Sequence, residues 1–133
     1  NFIVVDSQTN LVGKIVNLGK NSSTIRLIND VSNKVIVEDE NNTLSLALMT
    51  PISHNKGELY GIKDEDVISI GDILYTSTKS DVYIERIPVC KVINIVDKKD
   101  IDPFRKVFVE FLTDLSKLSF VVVIASEKKG EKN

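Results

Sequence analysis

The chain is poor in the residues that most often build chemical sites. Its 133 residues include one cysteine, Cys90, one histidine, His54, one methionine and no tryptophan. A lone cysteine cannot close an internal disulfide, and without a CxxC pair or a Cys/His cluster there is no zinc-ligand spacing. Neither sign of charge prevails. The formal net charge is -2 and the pI is near 5.4, which excludes the basic footprint of a nucleic-acid-binding domain. Long apolar runs are missing as well: the longest, FVVVIA at 120–125, is strand-sized and far short of the roughly 20 residues a membrane-spanning helix needs. Alanine, the best helix former, occurs only at Ala47 and Ala125.

What the chain does have is valine and isoleucine, 17 and 16 of them. β-Branched side chains are stiff at χ1 and suit the pleated surface of a sheet, so the composition predicts an all-β fold with little helix. Short strand candidates alternate with polar turns: FIVV (2–5), LVGKIVNL (11–18), TIRLI (24–28), KVIVED (34–39), TLSLALM (43–49), ELYGI (58–62), DVISIGDILYTS (66–77), PVCKVINIV (88–96) and SFVVVIA (119–125). Residues 50–58 read as a loop, and SEKKGEKN at 126–133 reads as a charged tail. Asn1 is followed at once by a strand, so we expect the chain to begin inside a larger protein.

Residues 104–115 are ambiguous. Their apolar positions fit a helix, yet Val107, Val109 and Phe111 also alternate with Phe108, Glu110 and Leu112. An internal repeat decides the matter. LVGKIVNL (11–18) and PVCKVINI (88–95) read alike at an offset of 77, and each is followed by a second apolar segment, an aspartate (Asp30, Asp114) and a third apolar segment. The second unit carries about seven more residues in its connection. Equivalence of the units makes 106–112 the counterpart of the strand-like TIRLI, hence a strand, with Phe111 on the core face. Two such units predict two small antiparallel β-barrel-like lobes packed side by side, spanning 1–133 and meeting near 76–90. The bland alternative is that VxKV is common in any β protein.

In order along the chain, LVGKIVNLGKNSSTIRLIND, GELYGI, ISIGDILYTS, IPVCKV and FRKVFVEFLTDLSKLSFVVVI resemble the extracytoplasmic domain of the bacterial rod shape-determining MreC family. The family's motifs carry glycines where this chain has Thr78, Arg86 and Cys90, so the turn between 78 and 90 is expected to be built differently. The resemblance implies a non-enzymatic scaffold on the extracytoplasmic, periplasmic side of the cytoplasmic membrane, held by an upstream single helix. The partners it implies are the elongation-specific penicillin-binding transpeptidase, MreD, the actin-like MreB system and further copies of the chain. It implies no cofactor.

The family's two-barrel arrangement resembles trypsin-like proteases, which makes a chymotrypsin-like serine protease the rival reading. That chemistry needs a nucleophile, an imidazole and an orienting carboxylate. His54 lies in the loop TPISHNKGE, and Ser77 in YTSTKS has no Gly-rich oxyanion context. The acidic runs 38–40, 64–66 and 97–102 do not have calcium-loop spacing and read as solvated turns. Cys90, between Val89 and Lys91 on a strand, reads as a buried, inert thiol. Binding surfaces are then the remaining candidates. Val82, Tyr83, Ile84 and Ile87 are too apolar for a plain turn, and Tyr83, an aromatic with a polar tip, is the expected anchor. The loop Met49–Tyr60 is the second candidate.

Overall fold

The computed structural model describes residues 2–79, 86–96 and 103–125. Ten strands follow in chain order: β1 (Phe2–Val5), β2 (Leu11–Leu18), β3 (Ser23–Leu27), β4 (Val35–Glu38), β5 (Ala47–Pro51), β6 (Lys56–Tyr60), β7 (Ile73–Thr76), β8 (Pro88–Val96), β9 (Lys106–Phe111) and β10 (Val122–Ala125). Among the described residues the only helical element is a 3-10 turn at Leu115–Lys117. The all-β expectation holds, and residues 106–111 form a strand against their helical periodicity.

Six strands close into an antiparallel barrel in the order β4-β5-β6-β9-β8-β7, and the other four form an open sheet in the order β10-β1-β2-β3. Period-2 alternation fills the barrel: Val37, Met49, Leu59, Leu74, Val92 and Val109 point inward and are buried. The open sheet lays Ile3, Val5 and Leu11 onto the same continuous core, so the two sheets share one apolar cluster.

The repeat is carried down to hydrogen-bond register. In the first unit Gly13 faces Leu27 and Lys14 faces Arg26; in the second Cys90 faces Phe111 and Lys91 faces Glu110. Each hairpin slips once at the equivalent place, leaving Val16 out between Ile15 and Asn17 and Ile93 out between Val92 and Asn94. The turns after both hairpins also match. Asp30 accepts hydrogen bonds from the amide and hydroxyl of Ser32, and Asp114 does the same for Ser116. Chance likeness of two VxKV strands does not explain a shared slip and a shared turn.

The repeats do not each build their own lobe, however. The first hairpin, β2-β3, lies in the open sheet, but the strand after it, β4, enters the barrel. The second hairpin, β8-β9, lies in the barrel, and β10 returns to pair with β1. Each unit thus lends its third strand to the other sheet. The chain passes between the sheets at 28–34 and 112–121, while β7 and β8 both belong to the barrel.

Several boundaries differ from expectation for local reasons. The strand expected at 43–49 begins only at Ala47, because Asp39 holds the amides of Thr43 and Leu44 in a turn, at 2.7 and 3.2 Å. The loop expected at 50–58 shrinks to 52–55, since β5 reaches Pro51 and β6 starts at Lys56. Of 66–77 only Ile73–Thr76 is strand; Asp72 accepts from the Ser69 amide and Gly71 turns the chain at φ 98. The last strand starts at Val122. The charged tail, 126–133, lies outside the described residues.

Candidate functional site

Val82, Tyr83 and Ile84 lie outside the described residues. Ile87 is half-buried against the core, and its backbone exchanges hydrogen bonds with Thr76: its amide donates to Thr76 Oγ1 and its carbonyl accepts from the Thr76 amide, both at 2.9 Å. Arg86, at one of the family's glycine positions, takes a structural role. Its Nε lies 2.7 Å from the buried Glu38 carboxylate and its guanidinium sits 4.8 Å above the Tyr75 ring. The other two departures are absorbed quietly. Among the described residues the left-handed non-glycines are Thr9 and Asn42, so Thr78 needs no glycine freedom. Cys90 is fully buried on β8, and burial pushes its thiol pKa well up. In the first repeat the same position must be glycine: a Cβ on Gly13 would stand 2.2 Å from the Arg26 carbonyl oxygen.

The residues of the rival protease reading are not brought together. Ser77 is buried, donates to Glu38 Oε1 at 3.1 Å and accepts from the Lys79 amide. His54 is exposed in the β5–β6 loop, where Asn29 Nδ2 donates to its carbonyl at 2.9 Å and lies 3.5 Å from its Nδ1. The acidic runs serve turns. Hydrogen bonds from Thr43 and Leu44 outweigh burial and hold the Asp39 carboxyl below its usual range, and Asp66 accepts from the Lys63 amide at 2.8 Å. The run at 97–102 lies outside the described residues.

Two surfaces stand out that the sequence reading missed. One is the outer side of the open sheet. Paired positions put Val4, Gly13, Ile15, Ile25, Leu27 and Val123 on the face opposite Ile3 and Val5, and Ile25, Leu27 and Val123 are exposed there. The other is a groove on the barrel wall between Tyr60 and Phe104, floored by Leu59 and Gly61 and rimmed by Arg105 and Lys106. Tyr60 is 49% exposed and Phe104 42%. Pairing of Leu59 with Val107, both buried, turns Tyr60 and Lys106 outward together. Tyr60 donates to Glu58 Oε1 at 3.3 Å, and the adjacent Glu58 charge raises the pKa of its phenol. The signal available in the sequence was the alternation of KGELY, which puts Lys56, Glu58 and Tyr60 on one face.

A family model, rod shape-determining protein MreC, barrel core, matches residues 1–125. The chain belongs to the MreC family. Two solved structures share its fold. A crystal structure of MreC from Pseudomonas aeruginosa superposes with a TM-score of 0.82 at 20% identity, covering 93% of this chain and 79% of that one. A second structure, also described as MreC, gives 0.83 at 21% identity, covering 93% of this chain and 69% of the other. No curated protein sequence matches. Family membership makes this a cell-shape-determining structural protein built around a β-barrel core, and the protease reading is not favoured.

Proposed function

We propose that the chain is a non-enzymatic scaffold of the cell-wall elongation machinery, acting outside the cytoplasmic membrane by binding the elongation transpeptidase and further copies of itself. The observation that carries this reading is the family match over residues 1–125. The exposed apolar surfaces of the open sheet and of the barrel-wall groove support it, because apolar patches of this kind mark interaction sites. MreD and the MreB system are the further partners in this reading, reached through a membrane helix upstream.

Tyr83 remains the proposed anchor for the transpeptidase. Purified chain mixed with the extracytoplasmic part of the transpeptidase should form a complex measurable by calorimetry. Tyr83→Ala should weaken that complex by about 1–3 kcal/mol while leaving the circular dichroism unchanged. A variant that unfolds makes Tyr83 a core residue. Absence of any complex with the unmodified chain sinks the scaffold reading.

A further inference from the structure

The two hairpins of the repeat differ in their charges. In the second unit Lys91 faces Glu110, and Glu110 in turn faces Lys56 of β6, so charge alternates across three strands. The equivalent row of the first unit sets Lys14 against Arg26 and stops, because β3 is the edge of its sheet among the described residues. Like charges directly opposite repel. Both cations are half-buried, and among the described residues the ion pair is Arg86 with Glu38. The Asp30 carboxylate lies close enough to feel the Arg26 charge, but it is engaged by the amide and hydroxyl of Ser32.

The backbone of β3 is open on the same side. The Ile28 amide donates to the Val12 carbonyl at 2.8 Å. Antiparallel alternation then gives the peptide groups of Arg26 to Lys14 and turns those of Ile25 and Leu27 away from β2. The Leu27 carbonyl is taken by the Asp30 amide at 3.0 Å. That leaves the Ile25 amide, the Ile25 carbonyl and the Leu27 amide facing outward. The side chains of Ile25 and Leu27 stand exposed on the apolar face of the sheet, opposite the face that carries Arg26.

We propose that β3 receives an added antiparallel strand from a partner protein, a stretch with one acidic residue between two apolar ones. That strand stands to β3 as β6 stands to β9. Its carboxylate lies opposite Arg26 and completes the row that begins at Lys14. The pair is of the narrow, non-hydrogen-bonded kind, with facing Cα atoms about 4.5 Å apart, and the arginine fork suits a carboxylate. Its apolar neighbours lie beside Ile25 and Leu27, and its backbone takes up their outward groups. A second copy of this chain does not fit the site. Its β3 would bring another arginine, and the other edge strand, β10, is VVIA and has no carboxylate. The site is separate from residues 82–87, and the inference is independent of the transpeptidase reading.

The probe is a short blocked peptide of alternating threonine and valine with glutamate in place of the central threonine. Titrated into the unmodified chain, it should shift the amide resonances of Ile25 and Leu27 and slow their hydrogen exchange. The same peptide with a central lysine should bind about tenfold more weakly. Arg26→Glu should reverse that preference. It should also raise the melting temperature, because it sets against Lys14 the same pairing that Lys91 makes with Glu110. Arg26→Gln should bind both peptides alike. Exchange at Ile25 and Leu27 that ignores the glutamate peptide would overturn the proposal, and so would binding that ignores the central charge. Lys14 and Arg26 would then be a guard that keeps the β3 edge unpaired. A melting temperature that falls in Arg26→Glu would show that Arg26 already has its counter-charge, and would overturn it as well.

Discussion

At the scale of the residue, the alternating faces of β9 give the most direct test of the fold. Val107, Val109 and Phe111 are buried, whereas Phe108 and Glu110 are only partly so. Phe111 faces Cys90 across the ladder and is buried in the shared core. Phe111→Ala should cost about 3–5 kcal/mol in lost burial and cavity formation, and Phe108→Ala clearly less. Urea unfolding of the two variants checks this. Equal losses would mean that the strand does not present one face to the core. The same logic separates Gly13 from Cys90: the first is crowded by the Arg26 backbone, the second fills space that a side chain can occupy.

At the scale of the element, the two matched turns make stability depend on acid. The hydroxyl and then the amide of Ser32, with a smaller contribution from Arg26, hold the exposed Asp30 carboxyl below its ordinary value of 3.8; Ser116 does the same for Asp114, aided by Lys117 and His54. A folded pKa below the unfolded one means that the carboxylate stabilises the fold above the unfolded value. That contribution is lost as pH falls through the folded value. Asp30→Asn and Asp114→Asn should therefore flatten the loss of stability below pH 3.8, and the double variant should flatten it further. Thermal melts across the acid range would show it, and variants whose acid sensitivity matches the unmodified chain would refute it. Elements were also where the sequence was most and least readable. β2 and β8 match their apolar, β-branched runs to the residue, and the offset repeat correctly overrode a helical pattern at β9. The strand expected at 43–49 starts late, at Ala47, because one side chain, Asp39, claimed two amides that alternation alone had assigned to a ladder. The groove escaped notice for a related reason. Tyr60 and Phe104 lie 44 positions apart in sequence, and it is the pairing of β6 with β9, the Lys63–Phe104 bridge and the bond from the Arg105 amide to the Ile62 carbonyl that bring them together.

At the scale of the whole molecule, the exchange of third strands binds the two sheets into one folding unit. Withdrawing β10 from the open sheet pulls on the connection from β9, and withdrawing β4 from the barrel pulls on the connection from β3. Their shared core adds to the coupling, since Ile3 of the open sheet belongs to the same cluster as Val37 and Val109 of the barrel. Ile3→Ala should lower stability by about 2–5 kcal/mol. That loss should appear equally in the slowest-exchanging amides of the barrel and of the sheet, as expected of a single cooperative transition. Exchange that quickens in β1 and β2 while barrel amides keep their protection would instead show two independent units.

The pairing of β1 with β10 sets how the domain bears load. Phe2 lies opposite Ala125 and the strands run antiparallel, so the outer ends of β1 and β10 are neighbours. Tension that draws these points apart meets the ladder from its end. It strains the Phe2–Ala125 pair first, then Ile3–Ile124, then Val4–Val123, each rung failing before the next is stressed. The barrel has no such end, because its strands close on themselves. Stretched between those points, the β1–β10 ladder takes the first strain, and the core that the two sheets share carries its loss on to the barrel.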